Sequence, residues 1–491
     1  MSLQVLKKNC LSTECQHECV EVCPQNKKGK IAIKIDKKLA VINKNNCISC
    51  LQCVYACLFD AIEAILKNKQ KLTKQSLQAK EKRSKKDRKL FEINEDVYEP
   101  FNERYTIFSR RMHDEEYEGY KKPIFGKAKD RIALKLDGYS EIELAAVDAA
   151  WSIENMVSMH EFHNERQKTL DEESKKKLGV PSDAGASFRT GQRAKSNVKQ
   201  VNYDVQEPQK YDVTDPKEMS KWLKKISKLY GASLTGVAKF DPKWIYTNDR
   251  MDRPYVIPEK IQNVIVIAVE MDLGAINTSP KWPGGIATGL GYSKMAFVRT
   301  LISSFIRNLG YEAIPAGNAL AISVPIAVEA GLGGYGRHGL LITKEYGPRV
   351  RVAKILTDMP LEADKPSYRF AKSVEKFCET CMTCAEKCPS ASIPFDKKQS
   401  YKTYSISNNP GVKKWYINVD TCYMFWLENG GDCSSCISDC EYNHKPTWPH
   451  KIANWIVMNL PVFNPIWPYV GRLLGYGGNK SAKKFWKKIK V

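Results

Sequence analysis

No stretch of this chain approaches about 18 uninterrupted apolar residues, so no segment is expected to cross a bilayer as a helix. The opening residues, MSLQVLKKNCLSTEC, hold neither an apolar signal core nor a small-residue cleavage site, so a cytoplasmic location is expected. Low-complexity composition is also missing. With 43% hydrophobic and 10% aromatic residues, the 491-residue chain has the make-up of a folded protein with room for about three domains.

The formal charge of +22 invites a nucleic-acid partner, but its distribution does not favour one. Residues 67–89 hold eleven Lys/Arg against two acids, and residues 480–490 add six lysines. Charge gathered in a linker and a tail reads as solvated chain or as contact with an anionic surface.

Sixteen cysteines are present, and none is left over. They form four quartets: Cys10, Cys15, Cys19 and Cys23; Cys47, Cys50, Cys53 and Cys57; Cys378, Cys381, Cys384 and Cys388; and Cys422, Cys433, Cys436 and Cys440. A disulfide framework needs an oxidising compartment to which nothing here directs the chain. Structural zinc prefers two separated C-x2-C pairs. Three cysteines at C-x2-C-x2-C suit three corners of an iron–sulfur cubane, with the fourth crossing to the neighbouring cluster. Iron–sulfur ligation is therefore the favoured reading, with zinc and disulfides as alternatives.

Crossing predicts the partners. Cys47, Cys50 and Cys53 would join Cys23, and Cys10, Cys15 and Cys19 would join Cys57. In the C-terminal half Cys378, Cys381 and Cys384 would join Cys440, and Cys422, Cys433 and Cys436 would join Cys388. Leu58 and Glu441 stand where a proline often follows the last cysteine of such a set.

These signals divide the chain into a ferredoxin-like domain at 1–66, a basic linker at 67–95, a central domain at 96–365, a second ferredoxin-like domain at 366–450 and an aromatic, basic tail at 451–491. In the centre, KEMSKWLKKISKLYGASLTGVAKF (217–240) predicts an amphipathic helix, a glycine break and a strand. NVIVIAVEM (263–271) and RVRVAKILTDMP (349–360) read as strands, and residues 291–317 as a helix closed by Gly310 and followed by a strand. This is an α+β pattern. Gly331, Gly333 and Gly336 spell G-x-G-x-x-G, but the β-branched stretch that follows offers no helix N-terminus for a pyrophosphate. A loop approached closely by a flat cofactor is the preferred expectation.

The block GLGGYGRHGLLITKEYGPRVRVAKILTDMPL, with the cysteine run after it, resembles the reductive dehalogenases. So do residues 288–333 and, more faintly, FNERYTIFSRRMHD. The resemblance implies a nitroreductase-like, corrinoid-binding core between two modules that each hold two [4Fe–4S] clusters. It implies a base-off corrinoid and four clusters in all, the N-terminal pair being additional to the family pattern. The absence of Asp-x-His-x-x-Gly, the common corrinoid motif, fits a cofactor without a histidine ligand, so His338 and His444 are expected to be structural.

The implied activity is removal of halide from a small organohalide with two electrons from a Co(I) corrinoid and one proton. By the resemblance, Tyr292 is the proton donor, Arg351 its activating guanidinium and Asn318 a pocket residue. A free phenol titrates near ~10 and is a reluctant acid, which is why a neighbouring guanidinium matters. Reduced ferredoxin or a flavoprotein is the expected donor, with the N-terminal module as entry point. The tail is expected either to pack on the core or to touch the anionic inner membrane face. An epoxyqueuosine reductase acting on tRNA and a non-catalytic electron carrier are the alternatives.

Overall fold

The computed structural model describes residues 2–5, 10, 18–36, 39–47, 53, 62–65, 71–72, 90–160, 210–445 and 447–490. Cys15, Cys50, Cys57 and most of the basic stretch 67–89 lie outside these. The chain divides into two compact units, Met1–Lys89 and Leu90–Val491.

In the first unit, β1 (Ser2–Val5) pairs antiparallel with β4 (Ile62–Ile65), which pairs with β5 (Lys71–Leu72). A second antiparallel pair joins β2 (Ile33–Asp36) to β3 (Leu39–Ile42). Cys19, Cys23 and Cys53 are buried with Leu3, Ala32, Ile33, Ala40 and Ile62, and Cys10 and Cys47 pack at the margin. The unit is small, and its core is built around thiols as much as around aliphatic side chains. All five described cysteines fall in that one cluster.

The second unit begins at Leu90, earlier than the expected boundary at 96, because Ile93 bridges to Val412 and Glu92 pairs with Lys413 at 2.9 Å. Its centre is a four-stranded antiparallel sheet in the order β6 (Leu234–Lys239), β7 (Asn263–Glu270), β11 (Val350–Thr357), β8 (Ala313–Ala316). β7 is an apolar run because both of its faces are covered. Val264, Val266 and Ala268 face one core with Ile314, Leu356 and Ile326, whereas Ile265, Ile267 and Val269 face another with Leu223, Val298 and Ile302. The period of two in a strand delivers alternate residues to the two layers.

Among its helices are α1 (Glu141–Ala150), α2 (Ser152–His160), α3 (Pro216–Leu229), α4 (Trp282–Asn308), α5 (Ser323–Glu329), α6 (Tyr368–Thr380), α7 (Val419–Asn429), α8 (Trp448–Asn459), α9 (Trp467–Leu473) and α10 (Ala482–Trp486). α3 starts on Asp215, whose carboxylate accepts from the N–H groups of Lys217 and Glu218, with Pro216 in the first turn. It buries Met219 and Leu223 on one side, as its 3.6-residue apolar spacing requires. The expected helix over 291–309 is present but starts nine residues earlier, at Trp282, and ends before Gly310 in the left-handed region at φ 77°.

The glycine motif forms neither a dinucleotide loop nor an open cradle. Gly333 opens β9 (Gly333–Tyr335), which pairs antiparallel with β10 (Leu341–Thr343). A Cβ at Gly333 would meet the Ile342 carbonyl oxygen at 2.1 Å, and one at Gly331 would meet that of Lys365 at 2.9 Å. A Cβ at Gly336 would meet Ile342 Cδ1 at 2.7 Å. Gly333 and Gly336 thus pack within the hairpin, and Gly331 against the chain at Lys365.

The tail is held down. Asp137 accepts from the N–H groups of Ala482 and Lys483 at 2.9 Å each, and Trp486 Nε1 donates to Glu143 Oε1 at 2.7 Å. Glu143 also closes a capping box with Ser140 at the start of α1. Among the described residues no helix is long and apolar enough to cross a membrane.

Candidate functional site

The three residues expected at the reaction centre come from three elements and meet in space. Tyr292 lies on α4, Arg351 on β11, and Asn318 two residues after β8. Asn318 Nδ2 donates to Tyr292 Oη at 2.9 Å. The Arg351 guanidinium lies over the Tyr292 ring, 4.7 Å from its centroid. It donates to Thr288 Oγ1 at 3.1 Å, one helical turn before Tyr292. Trp151, between α1 and α2, stacks on the same tyrosine with centroids 4.7 Å apart and planes at 24°. The phenol is therefore held between an indole and a guanidinium, with its oxygen free to donate outward.

This closeness depends on glycine. A Cβ at Gly291 would sit 3.0 Å from Arg351 Cγ, and one at Gly289 would sit 2.6 Å from Trp151 Cδ1. Arg351 Nε is buried and finds no hydrogen-bond partner among the described residues. Such an atom costs ~1–3 kcal/mol unless a bound group accepts from it. An anion or a polar group on a large cofactor fits that requirement.

Behind this centre lie the C-terminal cysteines, all eight of them free thiols. Cys378, Cys381, Cys384 and Cys440 line one recess, with Arg337, His338, Ile342, Phe377, Glu441 and Tyr442. Cys440 lies within electrostatic reach of Cys384, Cys378 and Cys381, and Cys436 within reach of Cys433, Cys422 and Cys388. The eight residues thus gather in the two crossed groups that the spacing predicts. Among the described residues no three His, Cys, Asp or Glu side chains are placed to hold a single metal ion.

Burial pushes the Cys378 thiol up to about 12, Cys381 to about 11 and Cys422 to about 12, and it raises Cys384, Cys436 and Cys440 as well. Buried thiols become ligands only where metal charge offsets the lost hydration of the thiolate. A multi-iron cluster supplies that charge, and the donor set fits it.

Residues with no motif of their own complete the setting. Arg337 is fully buried and donates to the carbonyl oxygens of Cys378 (2.5 Å), Pro394 (2.7 Å) and Asp396 (2.7 Å), while stacking 4.9 Å from the Trp415 centroid. It fixes the loop that carries the first two cysteines and sets a positive charge beside the recess. Arg349, also fully buried, ties Glu270 (2.5 Å) to Asn443 (3.0 Å) and so joins the central sheet to the chain after Cys440. Ser434, beside Cys433, meets Thr288 at 3.3 Å, which links the second cysteine group to the residue that holds Arg351.

His338 and His444, expected to be structural, are both buried. His338 lines the recess, and burial pushes it down to about 4. His444 stacks on His450 with centroids 4.0 Å apart. Trp151 escaped the sequence reading because its role arises from a contact across the fold. Thr288, at i−4 from Tyr292, was readable once the helix was known to extend that far.

No family model matches the chain. A tetrachloroethene reductive dehalogenase of Desulfitobacterium hafniense is 35% identical over 323 residues, covering 56% of this chain and 58% of that protein. One of Sulfurospirillum multivorans is 32% identical over 305 residues, with 56% and 60% covered. The chain thus spans less than two thirds of the length of these relatives. An epoxyqueuosine reductase of Synechocystis is 28% identical over 133 residues, 26% of this chain.

A solved catabolic reductive dehalogenase, in complex with 3-bromo-4-hydroxybenzoic acid, shares the fold. Its TM-score is 0.57 at 17% identity, covering 82% of this chain and 50% of that one. Over more than half of its length, then, the chain is similar in sequence to tetrachloroethene reductive dehalogenases, and it shares the fold of a solved reductive dehalogenase.

Proposed function

We propose that the chain removes halide from a small organohalide, R–X + 2e⁻ + H⁺ → R–H + X⁻, at the site framed by Tyr292, Asn318 and Arg351. The observation that carries this reading is the convergence of those three side chains, linked through Thr288 and Ser434 to the cysteine group of Cys433. A bound corrinoid, held in a nitroreductase-like core, would supply the two-electron reductant. Cys378, Cys381, Cys384 and Cys440 would hold one [4Fe–4S] cluster, and Cys422, Cys433, Cys436 and Cys388 the other.

The protein's own residues handle the proton. Tyr292 Oη donates it to the carbon that loses halide. Asn318 Nδ2 then bonds the oxygen left negative, and the Arg351 cation over the ring stabilises the electron-rich phenolate face. Trp151 keeps the ring in register. Arg351 Nε has a donor to spare for the departing halide or an edge of the cofactor.

In anaerobically purified, cofactor-loaded protein, Tyr292→Phe should retain cobalt and iron while dehalogenation falls ~10²-fold or more. Arg351→Lys keeps charge but loses the planar fork, so it should be impaired in the same assay. Wild-type turnover in the Tyr292→Phe protein would move the proton role elsewhere. Epoxyqueuosine reduction is the second reading, and the 28% identity to such an enzyme keeps it in view. Turnover of epoxyqueuosine tRNA without turnover of any organohalide would establish it.

The N-terminal unit would bring two further clusters and accept electrons from a reduced ferredoxin or flavoprotein in the cytoplasm. Contact with an anionic membrane would use Trp448, Trp455, Val462, Tyr469 and Leu473, which are 73%, 55%, 76%, 69% and 87% exposed, and not the docked Trp486. Flotation with anionic vesicles should then be lost in Trp455→Ser/Leu473→Ser protein. If the wild type fails to float at low salt, that contact does not exist.

A further inference from the structure

The recess of Cys378, Cys381, Cys384 and Cys440 contains two donors with nothing to donate to. His338 Nδ1 accepts from the Leu340 N–H at 3.3 Å, so the ring proton resides on Nε2. His338 is 2% exposed, and that Nε2 is buried without a hydrogen-bond partner among the described residues. Tyr442 is 4% exposed, and its hydroxyl is likewise buried without a partner. Both side chains line the recess, one from the β9–β10 turn and one from the chain two residues after Cys440. The Tyr442 ring is set edge-on against Phe370 and Phe377, which leaves its position little freedom.

Buried polar groups in folded proteins have partners, and two orphans facing one recess point to a single missing acceptor. The acceptors that a [4Fe–4S] core would bring are its sulfides and its thiolate sulfurs. We infer that His338 Nε2–H and the Tyr442 hydroxyl donate hydrogen bonds to sulfur atoms of this cluster and raise its reduction potential. The sign follows from charge. One-electron reduction adds negative charge to the sulfurs, and a donor aimed at them stabilises the reduced form more than the oxidised one. The inference rests on the cluster assignment made above.

The test uses the full-length, anaerobically reconstituted protein. Pulsed EPR of the reduced wild type should show a nitrogen coupling from an imidazole close to a cluster, and that coupling should vanish in His338→Phe. Tyr442→Phe removes only the hydroxyl. In an EPR-monitored redox titration, each Phe variant should shift one cluster to lower potential by a tenfold change in its reduction equilibrium, 59 mV for one electron. His338→Gln retains an N–H at a similar reach and should restore most of that shift.

A wild-type spectrum with cluster signals but no nitrogen coupling would overturn the His338 bond, whatever the variants do. Unchanged potentials in both Phe variants at native iron content would overturn the tuning role. Equal shifts in His338→Phe and His338→Gln would reduce His338 to a packing residue. Absence of iron and of any cluster signal from the wild type would instead sink the cluster assignment itself, a distinguishable result.

Discussion

Tyr292 has a different neighbour on each ring face and an amide at its oxygen, so every direction but one is taken. Confinement of this kind would direct a proton from Tyr292 along one line, as the proposed reaction needs of a weak acid. An acid elsewhere in the fold is shifted by burial. Glu329 on α5 accepts from Trp244 Nε1 at 2.9 Å, and burial pushes its carboxyl up to about 7. An unfolded glutamate titrates near ~4.3, so between that value and 7 the native state holds a proton that the unfolded state has lost. The stability contribution therefore falls as pH rises through this window and stays low above it, a difference of at most ~4 kcal/mol. Glu329→Gln should melt at a higher apparent temperature than wild type at pH 8, with the gap closing towards pH 5. A gap independent of pH would mean that the carboxyl is ionised in the native protein throughout.

At the scale of elements, α4 carries the most. It covers the sheet with Met295, Val298 and Ile302, and it presents Thr288 and Tyr292 to the site. Its glycines set that second function against helix stability. Gly→Ala inside a helix ordinarily gains up to ~1 kcal/mol, but a Cβ at Gly289 would stand 2.6 Å from the Trp151 indole, and overpacking costs ~1–3 kcal/mol. Gly289→Ala should therefore lower the melting temperature and change Trp151 fluorescence, where an exposed helical glycine would do the reverse. The same glycines hid the helix start in the sequence. PGGIATGLG reads as loop because glycine is a poor helix former, and only the closeness of Trp151 and Arg351 explains its use. The strand β7 was readable from its apolar run, as a strand covered on both faces requires, and β11 from its β-branched residues despite Arg351 and Lys354. The grouping of the C-terminal cysteines was readable because cluster geometry constrains spacing. The meeting of Tyr292, Asn318 and Arg351 was legible only through a family resemblance, and the stack by Trp151 and the donors in the cysteine recess were not legible at all. Contacts between distant segments leave no periodic trace in a single chain.

For the whole molecule, the division into Met1–Lys89 and Leu90–Val491 separates one set of cysteines from the other. Deleting residues 1–66 should halve the iron content and leave the cobalt in place. Turnover with a small artificial reductant should persist, while turnover with a protein donor collapses. Unchanged turnover with the protein donor would mean that electrons enter the second unit directly. The second unit has an internal dependence of another kind. Its cysteine groups are interleaved, since Cys440 lines the recess of Cys378, Cys381 and Cys384, while Cys388 lies with Cys422, Cys433 and Cys436. During synthesis, neither group is complete until the ribosome has passed Cys422 and its followers, and the first must wait for Cys440. With clusters held as proposed, the thiols would wait unmetallated across more than fifty residues of growth, and the two sites would be loaded late and nearly together. Decay has the same grammar. Oxygen damage that frees Cys388 or Cys440 loosens a peptide on which the neighbouring cluster also depends, so the pair should be lost as a unit and the chain presented to proteolysis all at once.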